Sequence, residues 1–224
     1  MTDQTEVAAN GGRVFEGRFA AEQIACVRGE RLVFRDLDFE LETGGALILR
    51  GPNGSGKSSL LRLATGLLPL EAGVLTWDGE NIGDDVAGHS ARLHYVSHQD
   101  PVKPAFTVQE NLAFWAALGG QPDAVSGALA AFGIADLADV PARFLSAGQR
   151  RRLNLARIAA VPTALWLLDE PTVGLDDLAV EALGRVIRGH RARGGLVMVA
   201  THLDLGLADA KVLTLARPPS AEAA

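Results

Sequence analysis

The residues best placed to do chemistry lie in Gly51-Pro52-Asn53-Gly54-Ser55-Gly56-Lys57-Ser58. They fit G-x-x-x-x-G-K-[ST], a loop that wraps nucleotide phosphates. Its glycines let the backbone curl so that successive N–H groups point at the phosphates. The helix that follows adds a fixed positive partial charge at its N-terminus. Lys57 is placed to reach the β- and γ-phosphates and Ser58 to hold Mg²⁺ through its hydroxyl, with Ser59 next in the binding set. The flanks suit this chemistry. Ala46-Leu47-Ile48-Leu49 reads as a short buried strand, and Ser58 to Leu67 carries Leu60, Leu61, Leu63, Ala64 and Leu67 at the spacing of an amphipathic helix.

Asp169-Glu170 closes a second apolar run, Ala164-Leu165-Trp166-Leu167-Leu168, of the kind buried on both faces of a parallel sheet. Open parallel sheets bind ligands outside the carboxyl ends of their strands, where the glycine loop also emerges. Asp169 is therefore expected to hold Mg²⁺ directly or through water, and Glu170 to orient and deprotonate an attacking water. Thr201-His202 ends a further buried run, Leu196 to Ala200, so His202 should open onto the same crevice, to contact the γ-phosphate or to bridge to Glu170 through the water. Leu145-Ser146-Ala147-Gly148-Gln149 introduces a helix that runs to Ala160. Free N–H groups and a hydroxyl at that helix start make Ser146, Ala147, Gly148 and Gln149 a second anion site. It lies far along the chain from the glycine loop, which is economically explained if it completes the nucleotide site of a second copy.

The elements that must position these residues alternate between strand and helix, which predicts an α/β domain with a parallel sheet. Before the loop, Phe19 to Val27 and Leu32 to Leu41 read as an antiparallel hairpin beside the nucleotide core. Gly73 to Gly79 and His94 to Ser97 add short strands. Thr107 to Leu118 is a helix with Thr107 and Glu110 at capping-box spacing. With Ala124 to Phe132, Asp136 to Ala138 and the helix after Ser146, it makes a mostly helical insertion. Asp176 to Arg193 is an amphipathic helix ended by Gly194-Gly195, and Lys211 to Leu215 a last strand. Arg150 to Arg152 read as a solvated helix face, Trp77 and Trp166 as core, and Phe114 and Trp115 either as core or as a docking surface.

The chain has 224 residues, 48% of them hydrophobic, enough for a substantial core. A formal net charge of −6 argues against a general grip on nucleic acid or on an anionic membrane. A single cysteine, Cys26, excludes an internal disulfide and reads as a small buried hydrophobe. No run approaches the length of a membrane span, and the N-terminal residues carry no signal-peptide pattern, so a soluble cytoplasmic chain is expected, with no direct membrane span. Residues 1–17 and 216–224 read as tails around one domain, 18–215.

Taken in order, these motifs resemble the ATP-binding cassette ATPases from about Arg18 to Leu215. The resemblance implies a P-loop NTPase fold of the α/β class, with a mixed sheet core, an antiparallel β subdomain and a helical insertion over about residues 100–160. It implies ATP and Mg²⁺ as cofactors, and a dimer that sandwiches ATP between the glycine loop of one copy and Ser146 to Gln149 of the other. It makes Leu165 to Asp169 the Walker B strand, Gly174-Leu175-Asp176 the D-loop and His202 the switch histidine. The family's Q-loop glutamine, a Mg²⁺ contact through water, falls on His98 or Gln99; counting back from Glu110-Asn111 gives His98, and both are carried as candidates. The aromatic residue that usually stacks on adenine is replaced by Arg28, whose guanidinium plane can stack instead. Ala147 stands where the signature usually has glycine.

Cys26-Val27-Arg28 with Glu30-Arg31, Ser97-His98-Gln99, Glu110-Asn111-Leu112 with Phe114-Trp115, and Ser146 to Arg152 are similar to the haem-exporter ATPases of bacterial cytochrome c maturation. Relatives mostly have glycine at the place of Ser97 and glutamine at that of Leu203. This resemblance implies a permease partner, CcmB, and with it CcmC, at the cytoplasmic face of the inner membrane. Rival readings keep the architecture and change its use. One is an exporter ATPase for a drug or polysaccharide, the other a soluble cassette protein that transports nothing.

Overall fold

The computed structural model describes residues 14–216. In chain order its strands and helices are β1 (Phe19–Arg28), β2 (Arg31–Leu41), β3 (Ala46–Arg50), α1 (Lys57–Ala64), β4 (Ala72–Trp77), β5 (Glu80–Asn81), α2 (Val86–Ala91), β6 (Leu93–Val96), α3 (Val108–Leu118), α4 (Val125–Ala131), α5 (Ala147–Ala160), β7 (Leu165–Asp169), α6 (Asp177–Ala192), β8 (Leu196–Ala200) and β9 (Lys211–Thr214). The two strand senses occupy separate sheets. One is antiparallel, in the order β2-β1-β4-β5, and the other is parallel, in the order β6-β7-β8-β3-β9.

Alternation along the parallel strands buries both faces of that sheet. Leu47, Leu49, Leu165, Leu167, Leu196 and Met198 face α1 and the antiparallel sheet, where they meet Leu60, Leu61, Phe19 and Ile24. Ala46, Ile48, Trp166, Leu168, Val197 and Val199 face the other way, toward Leu155, Ile158, Leu183 and Ile187 of α5 and α6. Strand order is what brings the chemistry together. β8 lies between β3 and β7, so the loop after β3, the acidic pair after β7 and His202 after β8 emerge side by side at the carboxyl edge.

The helical insertion lies between β6 and β7. Thr107 Oγ1 accepts from the Glu110 N–H at 3.2 Å while a Glu110 carboxylate oxygen accepts from the Thr107 N–H at 2.8 Å, which starts α3 with a full capping box. One short helix, α2, has no counterpart among the elements expected from sequence; it is held by Asp85, whose carboxylate accepts from the Gly88 N–H at 2.8 Å. Of the two expected tails, residues 1–13 and 217–224 lie outside the described residues. Within 14–17, Phe15 is buried at 6% exposure, its N–H donates to the Arg193 carbonyl at 2.8 Å, and its ring lies 5.5 Å from that of His190.

Candidate nucleotide-hydrolysis site

The glycine loop holds its shape through close backbone approach. Gly56 has φ 103°, and a Cβ there would fall 2.5 Å from Val33 Cγ1 of β2. Gly51, at φ 140°, would put a Cβ 2.3 Å from the Leu215 carbonyl oxygen. Only glycine fits either place. Gly56 also stands at the N-cap of α1 with no side-chain cap, which leaves the first N–H groups of that helix available to an anion. The Lys57 ammonium, 7% exposed, donates to the carbonyls of Gly51 at 2.9 Å and Pro52 at 3.3 Å. It arches back over the loop.

The acidic pair closes on this loop. Ser58 Oγ donates to Asp169 Oδ1 at 2.9 Å, and the other oxygen of that buried carboxylate has no protein partner among the described residues. A hydroxyl and a half-satisfied carboxylate are hard oxygen donors, the kind Mg²⁺ takes alongside substrate phosphates. Among the described residues no group of three His, Cys, Asp or Glu side chains is arranged to hold a metal unaided. Glu170 Oε1 lies 4.0 Å from Lys57 Nζ and 3.4 Å from His202 Nε2. His202 therefore opens onto the same crevice as Glu170, with its imidazole beside the carboxylate. Glu170 sits at φ 46°, in the left-handed region, where a non-glycine residue costs about 1–3 kcal/mol. Its N–H donates to the Ala200 carbonyl at 2.9 Å, which ties the end of β7 to the end of β8. The Thr172 and Thr201 hydroxyls, 3.1 Å apart, add a second tie.

A cavity of about 460 Å³ opens over the loop, lined by Asn53, Gly54, Ser55, Gly56, Lys57, Ser58, Ser59 and Glu170 from the core and by Arg28, Arg31 and Val33 from the antiparallel hairpin. Arg28 borders the cavity, and it is joined by Arg31 and Val33, for which no motif predicts a role. The periodicity of β2 carries the missing signal: Arg31 and Val33 lie on one face of the strand. Arg50 is a further residue that no motif marks. At the end of β3 its guanidinium donates to the carbonyls of Thr201 and Leu203, bracketing His202.

Other candidates stand apart from the cavity. His98 and Gln99 are both exposed and neither lines it. Ser146 and Ala147 are also exposed, and the Ser146 hydroxyl accepts from the Gln149 N–H at 3.2 Å while the Gln149 side chain accepts from the Ser146 N–H at 2.8 Å. That capping box occupies the serine oxygen within its own helix. Gly148 packs on the Gly174 carbonyl, which a Cβ would approach to 3.0 Å. The expectation of a solvated arginine face needs one correction. Arg151 is 4% exposed, and its guanidinium donates to the Asp169, Glu170 and Pro171 carbonyls.

A parallel sheet with this loop and acidic pair, flanked by an antiparallel sheet and a helical insertion, is the fold of ATP-binding cassettes. A solved ATP-binding subunit of an ABC transporter matches with TM-score 0.78 at 20% identity over 88% of this chain and 85% of its own. A putative ABC transporter ATP-binding protein from Pyrococcus furiosus matches with TM-score 0.76 at 22% identity over 88% of this chain and 97% of its own. The family model described as ABC transporter matches residues 34–173, and the chain belongs to that family. Within it, the chain is 51% identical over 207 residues to the cytochrome c biogenesis ATP-binding export protein CcmA of Paramagnetospirillum magneticum, covering 89% of this chain and 94% of that protein. It is 54% identical over 198 residues to the protein of the same name from Rhodospirillum rubrum, covering 88% of this chain and 85% of that one.

Proposed function

We propose that the chain is the ATP-hydrolysing subunit of an ABC exporter that serves c-type cytochrome biogenesis, with haem as the exported cargo. The ATPase part is carried by one observation: Lys57, Ser58, Asp169, Glu170 and His202 converge at the carboxyl edge of β3, β7 and β8. The cytochrome part is supported by the names of relatives that share about half of its residues over most of their length.

In this reading the loop N–H groups and Lys57 hold the phosphates of ATP, and Arg28 stacks on the base with Arg31 beside it. Ser58 and Asp169 hold Mg²⁺, which offsets phosphate charge when bound. Glu170 takes the proton of the attacking water, and His202 holds the glutamate and approaches the γ-phosphate. His98 or Gln99 enters the site when the helical insertion moves toward the core. Ser146, Ala147, Gly148 and Gln149 close the nucleotide site of a second copy. Exposed Phe106, Phe114 and Phe144 on or beside the insertion offer apolar side chains to a membrane subunit, CcmB, with CcmC in the same assembly. Among the described residues no helix is long and apolar enough to cross a membrane, so such a subunit would hold the chain at the cytoplasmic face of the inner membrane.

Deleting the gene should abolish holo-cytochrome c and leave b-type cytochromes intact, and a Lys57→Ala copy should fail to restore it. Normal c-type cytochromes in the deletion strain would remove the haem reading and leave the ATPase one.

A further inference from the structure

We propose that Arg151 is a positioning residue for hydrolysis. It fixes the peptide that carries Glu170 and ties it to the segment leading from β6 into the helical insertion, so the aim of the carboxylate depends on where that insertion sits. The proposal rests on the reading of Glu170 as the base.

Both edges of the guanidinium are engaged. On one side Nη2 donates to the carbonyls of Glu170 at 2.9 Å and Asp169 at 3.3 Å, and Nε to that of Pro171 at 3.3 Å. On the other, Nη1 donates to the Ser97 carbonyl and to Asp100 Oδ1, each at 2.9 Å. A planar group with its donors in a fixed fork thus spans the ends of β6 and β7. Glu170 needs such a hold, because its left-handed backbone persists only where the surroundings over-determine it.

The far side of the fork is anchored in the insertion. Asn154 Nδ2 also donates to Asp100 Oδ1, at 2.9 Å, and Asn154 Oδ1 accepts from Arg157 Nη1 at 2.9 Å. The Arg157 guanidinium lies 3.7 Å over the Trp115 ring of α3. A contiguous set of charged and polar contacts therefore runs from the catalytic carboxylate's peptide to the helix that bears exposed Phe114. A merely structural buried arginine would need only to satisfy its donors; this one joins the two segments whose relative placement sets the site.

The test compares Arg151→Met, Arg151→Lys and Glu170→Gln with wild type in the full-length chain within its assembled complex, reading steady-state ATP hydrolysis, nucleotide binding and thermal melting. The expected result for Arg151→Met is a kcat at least about tenfold lower with KM and nucleotide Kd within about threefold of wild type. Arg151→Lys should recover only part of kcat, because an ammonium cannot serve both edges of the fork. A folded Arg151→Met with kcat within about twofold of wild type, or one whose loss lies wholly in KM, overturns the proposal. If that variant does not fold, Asp100→Asn is read by the same kcat-against-KM criterion. Glu170→Gln separates the two claims: its continued turnover would sink the base reading itself, whereas an inactive Glu170→Gln beside a fully active Arg151→Met sinks only the role of Arg151.

Discussion

Gly56 shows how little room a single position of this site has. Its φ of 103° is unfavourable for any side chain, and the nearest atom to an added Cβ belongs to β2 of the antiparallel sheet. Gly56→Ala should cost about 2 kcal/mol or more in stability, from left-handed strain and overpacking together. It should also abolish nucleotide binding, because the shift needed to relieve Val33 moves the start of α1. Thermal melting and titration with a fluorescent ATP analogue check both parts, and an alanine variant that binds ATP normally would contradict the packing explanation. The glycine loop was legible because its signal is local: residue types at fixed offsets between a strand and a helix. Arg151 was not, because a run of arginines looks solvated when read as a run. Helical spacing held the correction, since Arg151 shares a face with Asn154, Leu155 and Ile158, all of them buried. Arg50 gave no such signal, as its partners are backbone carbonyls more than a hundred residues along the chain.

At the scale of elements, the base of the parallel sheet is distinguished by buried histidines. His190 of α6 stacks on Trp166 of β7 with ring centroids 3.7 Å apart and planes 5° from parallel, and His94 lies at the start of β6. Burial pushes both imidazoles down to about 4. In the unfolded chain they take protons near 6.5, so below that pH the unfolded state binds more protons than the native one. The stability they contribute is complete above about pH 6.5 and is lost as pH falls toward about 4, up to about 3 kcal/mol for each. Melting temperature should fall over that window, and the fall should be shallower in a His94→Gln/His190→Gln variant; equal slopes would show that other groups govern it. Gly195 reports on the same packing. A Cβ there would lie 2.0 Å from His190 Cε1, so Gly195→Ala should destabilise by about 1–3 kcal/mol through the α6–β8 turn. Apart from β5 and α2, which are short and carry no apolar period, strand and helix identities were readable from apolar periodicity, and α3 from its cap. Strand order was not, because nothing local in β8 states that it inserts between β3 and β7, and that insertion is what sets His202 beside Glu170.

For the whole molecule, the cavity over the glycine loop is walled by the core and by the antiparallel hairpin, while Ser146 and Ala147 are exposed away from it. On the proposed two-copy reading, Ser146 to Gln149 of a second chain supply the other wall of that cavity. Ser146→Arg should leave ATP binding by one chain intact while abolishing ATP-dependent pairing and turnover; retained turnover would show that the exposed signature helix closes nothing. On the proposed reading Glu170, held between Lys57 and His202, is the base of an ATP-hydrolysing site. ATP turnover by Glu170→Gln, measured beside ATP binding, tests this central claim most directly. The expected result is binding close to wild type with kcat reduced at least about a hundredfold, and hydrolysis near the wild-type rate would contradict the claim.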